Sequence, residues 1–135
     1  MNMSKLPTIL LLLAAALPIG AKFKVKEKRY QPVPVTDVRQ IAGRYVGIDP
    51  DFVVELRVSD TGVITGTLRN FGESAALRSI RLDGAELTAS VDGRPLHATF
   101  ANRIRNGDAA FGLVVHDVDA QIDDVTLTQI FCRRQ

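Results

Sequence analysis

From residue 36 onward the sequence predicts an all-β fold, an eight-stranded antiparallel up-and-down barrel with a short capping helix at its entrance. Three observations predict it. Short segments alternate apolar and polar residues with the period of a half-buried strand. They recur at the ~8–12-residue spacing of barrels and sandwiches. Acidic-Gly and Asn-Gly pairs separate them, which is the chemistry of tight hairpins. Consecutive antiparallel strands usually lie side by side. A meander of this length removes its two exposed edges by closing on itself, so a barrel is favoured over a sandwich.

The elements follow in order. Val35 to Gly43 predicts one helical turn, with Thr36 as N-cap, Asp37 at the positive end and Gly43 as the stop. Val38 and Ile41 share its apolar face, and so short a helix must pack over something. Arg44 to Gly47 opens the strand set, and Gly47 to Asp51 turns the chain. Phe52 to Val58 puts Phe52, Val54, Leu56 and Val58 on one face. Val63 to Arg69 follows, then a loop, Asn70 to Ser74. In Ala76 to Leu82, Leu77 and Ile80 fall on opposite faces unless a bulge intervenes. Ala85 to Val91 and Pro95 to Arg105 alternate cleanly across Asp92-Gly93. Asn106-Gly107 is the strongest hairpin signal, because a type I′ turn needs positive φ at both central residues. Ala109 to Val118 and Val125 to Arg133 complete the eight, joined by His116 to Asp124.

The residues before the barrel differ in kind. Met1 to Lys5 carries one Lys, Leu6 to Ile19 is an uncharged apolar run, and Pro18 to Ala21 ends it with helix-breaking and small residues. This is the layout of a signal peptide over 1–21, with cleavage after Ala21, and export to a bacterial periplasm or the exterior is expected. The run is shorter than the ~20 residues of a membrane span. Against cleavage stand Lys22, Lys24, Lys26, Lys28 and Arg29, whose charge directly after the run favours an N-terminal membrane anchor instead. Residues 22–35, with two prolines, read as a basic extended linker. Their cations offer contact to an anionic membrane surface, although such runs are usually solvated. The barrel domain occupies 36–135.

Charge excludes one class of partner. All five lysines lie within residues 1–28, and from residue 37 onward 11 Arg face 14 Asp and Glu, a net of −3. A domain so charged has no basic footprint for nucleic acid. Cys132 is the single cysteine, so the domain holds itself together without an internal disulfide.

A capped turn, then Gly43-Arg44-Tyr45, then an eight-strand meander resembles lipocalin-like (calycin-type) barrels. It is also similar to the lipocalin-like domains at the C-terminus of some bacterial serine hydrolases. Lipocalin-like families place Gly-x-Trp here, with a basic residue of the last strand across the ring. The resemblance implies that Tyr45 stands for the Trp and that Arg133 or Arg134 supplies the cation. Gly43, Tyr45, Arg133 and Arg134 then form the structural closure set. Such a guanidinium over a Tyr face contributes ~0.5–2 kcal/mol. The resemblance implies a barrel with an apolar mouth. This chain has no Trp, and its short strands make no deep cup.

Candidate chemistry is sparse. His97 and His116 are the only histidines, and pairing about Asn106-Gly107 sets them directly opposite, since paired positions sum to 213. Two imidazoles can start a zinc site, with Glu86 or Asp119 as third ligand, but a stable site wants three or four ligands. Exposed strand histidines, with no metal and no cofactor, are the expectation. Asp117, Asp119, Asp123 and Asp124 form the densest acidic patch, and it lacks the glycine of a calcium loop. Ser59, Ser74, Ser79 and Ser90 have no nucleophile-elbow setting. Cys132 has no identifiable base; Arg133 beside it would lower its pKa, but a core-facing position is favoured. No catalytic residue is assigned, and no enzyme is expected. The expectation is an exported binding module for a small apolar ligand or an envelope protein. The alternative is an envelope-associated structural protein, or an inhibitor of an envelope enzyme, held by the basic arm.

Overall fold

The computed structural model describes residues 30–47, 50–122 and 125–135. The expected signal peptide, the cations from Lys22 to Arg29, and Asp123 and Asp124 lie outside the described residues, as does the side chain of Asp119. No described helix is long and apolar enough to cross a membrane.

Ten strands make one antiparallel sheet: β1 (Tyr30–Pro32), β2 (Gly43–Val46), β3 (Phe52–Val58), β4 (Ile64–Asn70), β5 (Glu73–Ala76), β6 (Arg78–Asp83), β7 (Glu86–Val91), β8 (Arg94–Arg105), β9 (Asp108–Ile122) and β10 (Val125–Arg134). Hydrogen-bonded neighbours run β5-β4-β3-β2-β10-β9-β8-β7-β6, a nearly closed barrel of nine strands, with β1 beside β8. The seal between the early and late strands is the β2–β10 pair, with Tyr45 opposite Arg134 and Val46 opposite Arg133.

The count of eight is corrected at two places. Glu73 and Ser74, expected in a loop, join Ala75 and Ala76 in a strand of their own, which pairs with β4 through a two-residue turn at Phe71-Gly72. Only Leu77 separates β5 from β6, and at that corner the chain stops pairing β4 and starts pairing β7. The Leu77 amide still bonds the Gly66 carbonyl at 2.9 Å, so the corner is held as well as bent. The second place is the end of the expected linker. Tyr30 to Pro32 pairs with Arg103 to Ala101, and Val33 and Val35 donate to the carbonyls of Phe100 and Gly84. Pro32 and Pro34 are tolerated because this is an outer edge with no further ladder to supply.

A bulge in β6 at Ser79, whose φ is +55°, shifts the register between Arg78 and Arg81. It turns Leu77 and Ile80 toward the same core. Asn106 and Gly107 have φ of +53° and +83°, and Arg105 faces Asp108, as a type I′ hairpin requires.

The expected capping helix is a 3-10 turn over Val38–Ile41. Its N-cap is Asp37, not Thr36, with the Asp37 carboxylate accepting from the Arg39 amide at 3.1 Å. With three residues per turn, Val38 and Ile41 eclipse and both meet the core. That core runs through Ile41, Tyr45, Leu56, Leu87, Phe100, Leu113 and Cys132, all essentially inaccessible to water. At ~1.5–3 kcal/mol per large apolar side chain, this burial is the dominant favourable contribution to the fold.

Candidate functional site

Three of the four expected closure residues, Gly43, Tyr45 and Arg134, meet at the end of the 3-10 turn. Gly43 has φ +154°, and a Cβ there would sit 3.0 Å from Cδ of Arg134, so a larger residue would strain the backbone and push the arginine stem aside. Arg134 then donates from Nη1 to the Gln40 carbonyl at 2.6 Å, and the Tyr45 hydroxyl donates to the Ile41 carbonyl at 2.7 Å. Two carbonyls at the end of the 3-10 turn are thereby satisfied from the first and last strands of the seal. The stacking partner differs from the expectation: the Arg134 guanidinium lies 4.7 Å over Phe111, not over Tyr45. Tyr45 is buried among other rings, its centroid 6.0 Å from Phe100 and 6.4 Å from Phe111, so a charged group gains more on the outer ring. Burial pushes the Tyr45 hydroxyl up to about 12, against the pull of the Arg134 charge. Arg133 pairs in the seal and is exposed on its surface.

A cleft of about 510 Å³ lies between the β4–β5 hairpin and the β7–β8 hairpin, where β5 pairs only with β4 and the wall has a seam. Leu68, Val91, Pro95 and Leu96 line it, with the charged Glu73, Asp92 and Arg94. Phe71 lies in the turn between the lining residues Asn70 and Glu73 and does not itself line the cleft. It is 65% exposed and has φ +52°. The two-residue turn needs that φ, and a bulky aromatic is an uncommon residue to supply it. Sequence reasoning missed Phe71 because Asn70 to Ser74 reads as an irregular loop.

A third feature crosses the outer wall. His97 on β8 and His116 on β9 lie side by side, ring centroids 4.7 Å apart. The 213 register is observed from Ala98–Val115 to Arg105–Asp108, and it brings the two imidazoles together as expected. Glu86 on β7 faces Thr99 on β8, and His116 faces Gln129 on β10.

Proton balance orders the contacts. Thr99 has one hydroxyl proton and gives it to Oε1 of Glu86 at 2.9 Å. Its oxygen, 2.8 Å from Nε2 of His116, therefore accepts from that N–H. Nδ1 of His116 is then the acceptor for the Gln129 amide at 3.1 Å. His97 donates from Nε2 to the same Glu86 oxygen at 2.6 Å. Burial and the neighbouring His97 lower the pKa of His116. Burial raises that of Glu86, but the hydrogen bonds from His97 and Thr99 and the imidazole charges outweigh it and hold the carboxylate below its usual range.

Of this ladder the sequence yielded His97, His116 and Glu86. Thr99 could have been found by pairing about Asp92-Gly93. Gln129 could not, because β9 carries extra residues near Asp117, whose φ is +57°, and the β9–β10 register shifts there. Asp117 is exposed, in that bulge. Cys132 faces the core, and burial pushes its thiol up to about 12, opposite to the lowering that Arg133 alone would give. Comparison with family models, curated proteins and solved structures found no match.

Proposed function

We propose that this chain is an exported, non-enzymatic binding module that takes a small molecule with an apolar body and a polar end in the cleft between two hairpins of a lipocalin-like barrel. The observation that carries it is the cleft together with Phe71, an exposed aromatic in the turn between two of its lining residues, Asn70 and Glu73. The cleft's ~510 Å³ falls in the range of small-molecule pockets, about 300–1,000 Å³. Its lining mixes the apolar Leu68, Val91, Pro95 and Leu96 with the charged Glu73, Asp92 and Arg94, which matches a ligand of mixed character. Export is supported by the uncharged run from Leu6 to Ile19 and the small residues after it. Burial of Cys132, which keeps its thiol protonated at neutral pH, argues against that one residue as a nucleophile.

Native mass spectrometry of the full chain recovered from its own cells tests this. One small molecule per chain is expected, together with a mass that begins after Ala21. The adduct should be lost on Phe71→Asn, which keeps the turn because Asn tolerates positive φ. A bare chain, a protein partner in its place, or an adduct indifferent to Phe71→Asn would overturn the assignment.

A further inference from the structure

We infer that Glu86, His97 and His116 form a zinc-type divalent cation site on the outer wall of the barrel, separate from the cleft. Among 135 residues the chain has two histidines, and the fold sets both beside one carboxylate. One ligand atom from each of the three residues lies within 4.8 Å of the others. A tetrahedral zinc at ~2.0–2.2 Å from nitrogen and oxygen ligands needs those atoms roughly 3.4 Å apart. Nε2 of His97 and Oε1 of Glu86, at 2.6 Å, must part slightly, and the widest separation must close by somewhat more. Side-chain torsions supply both movements, because the three residues project from neighbouring strands, β7, β8 and β9, whose ladders hold the backbone.

The donor set chooses the ion. Two imidazoles and a carboxylate suit zinc, whereas calcium and magnesium want oxygen throughout. Three protein ligands leave a fourth position for water, the arrangement of open zinc sites. Outer partners are already in place. When Nε2 of His116 binds metal its proton resides on Nδ1, and Gln129, now 3.1 Å from Nδ1, needs only to turn its amide to accept it. Thr99 donates to Glu86 and holds the carboxylate toward the imidazoles. The ion would tie the β7–β8 hairpin to β9.

The test uses the full-length chain stripped with chelator and then titrated with zinc chloride. One equivalent is expected to bind, moving the ring-proton resonances of both histidines together and raising the melting temperature as binding to the native state requires. Excess calcium or magnesium should displace none of it. His97→Ala, His116→Ala and Glu86→Gln should each weaken zinc by more than the ~10–100-fold that loss of an outer partner costs. Gln129→Leu should weaken it within that range. Circular dichroism checks that each variant folds, and the resonances of the unsubstituted chain decide the matter even if one does not. Imidazole resonances unmoved by several equivalents of zinc, or binding unaltered in the double variant H97A/H116A, would overturn the site.

Discussion

Replacing Tyr45 by Phe removes one oxygen from a wholly buried ring of the barrel and should cost more than its size implies. The hydroxyl donates to the Ile41 carbonyl at 2.7 Å, in a place without solvent. Phe keeps the ring and its contacts with Phe100 and Phe111 but leaves that carbonyl unpaired, a penalty of ~1–3 kcal/mol. For a domain of ~100 residues this lowers the melting temperature on the order of 10 °C.

The pH dependence carries a sharper signature. The unfolded hydroxyl titrates near 10.0, whereas burial holds the folded one to about 12. The stability this contributes is fully present below pH 10 and is lost as pH rises through 12, because the unfolded chain ionises first. Phe lacks the titration, so the gap between the two proteins should narrow over that window. Tyr30 and Cys132, both also raised, act with the same sign in both proteins and cancel in the difference. Urea unfolding followed by circular dichroism at stepped pH measures both effects. A Tyr45→Phe protein within ~0.5 kcal/mol of the parent at neutral pH, or a gap that does not narrow above pH 10, would refute the role given to the hydroxyl.

Three further outcomes are expected. Gly112→Ala should abolish or gravely weaken folding, since a Cβ there runs into the Cys132 carbonyl and comes within 2.7 Å of the Phe131 ring; thermal melts read this out. Leu87→Ala, at a wholly buried position, should cost ~2–5 kcal/mol in urea unfolding, while Val63→Ala, exposed on a turn, should stay within about 0.5 kcal/mol. The Cys132 thiol should resist Ellman's reagent at pH 8 in the native chain and react fully in denaturant, because burial keeps it protonated and out of reach; immediate native labelling would place it outside the core.

What the chain decided locally is its strands, its turns and one register. Period-two alternation is set by neighbouring residues, and positive φ at Asn106-Gly107 is a property of those two residues, so the β8–β9 pairing and the meeting of His97 with His116 were legible. The alternation flagged that Leu77 and Ile80 share a core only if a bulge intervenes, and the structure supplies that bulge at Ser79. The corner at Leu77, the bulge at Asp117 and the place of Gln129 were not legible, because each depends on how strands must tilt and shift for a sheet to close. The seating of Arg134 over Phe111 and on Gln40, 94 residues away, was settled only when the barrel formed. A guanidinium goes where an outer ring and an unpaired carbonyl are both within reach, and only the closed fold creates such a place.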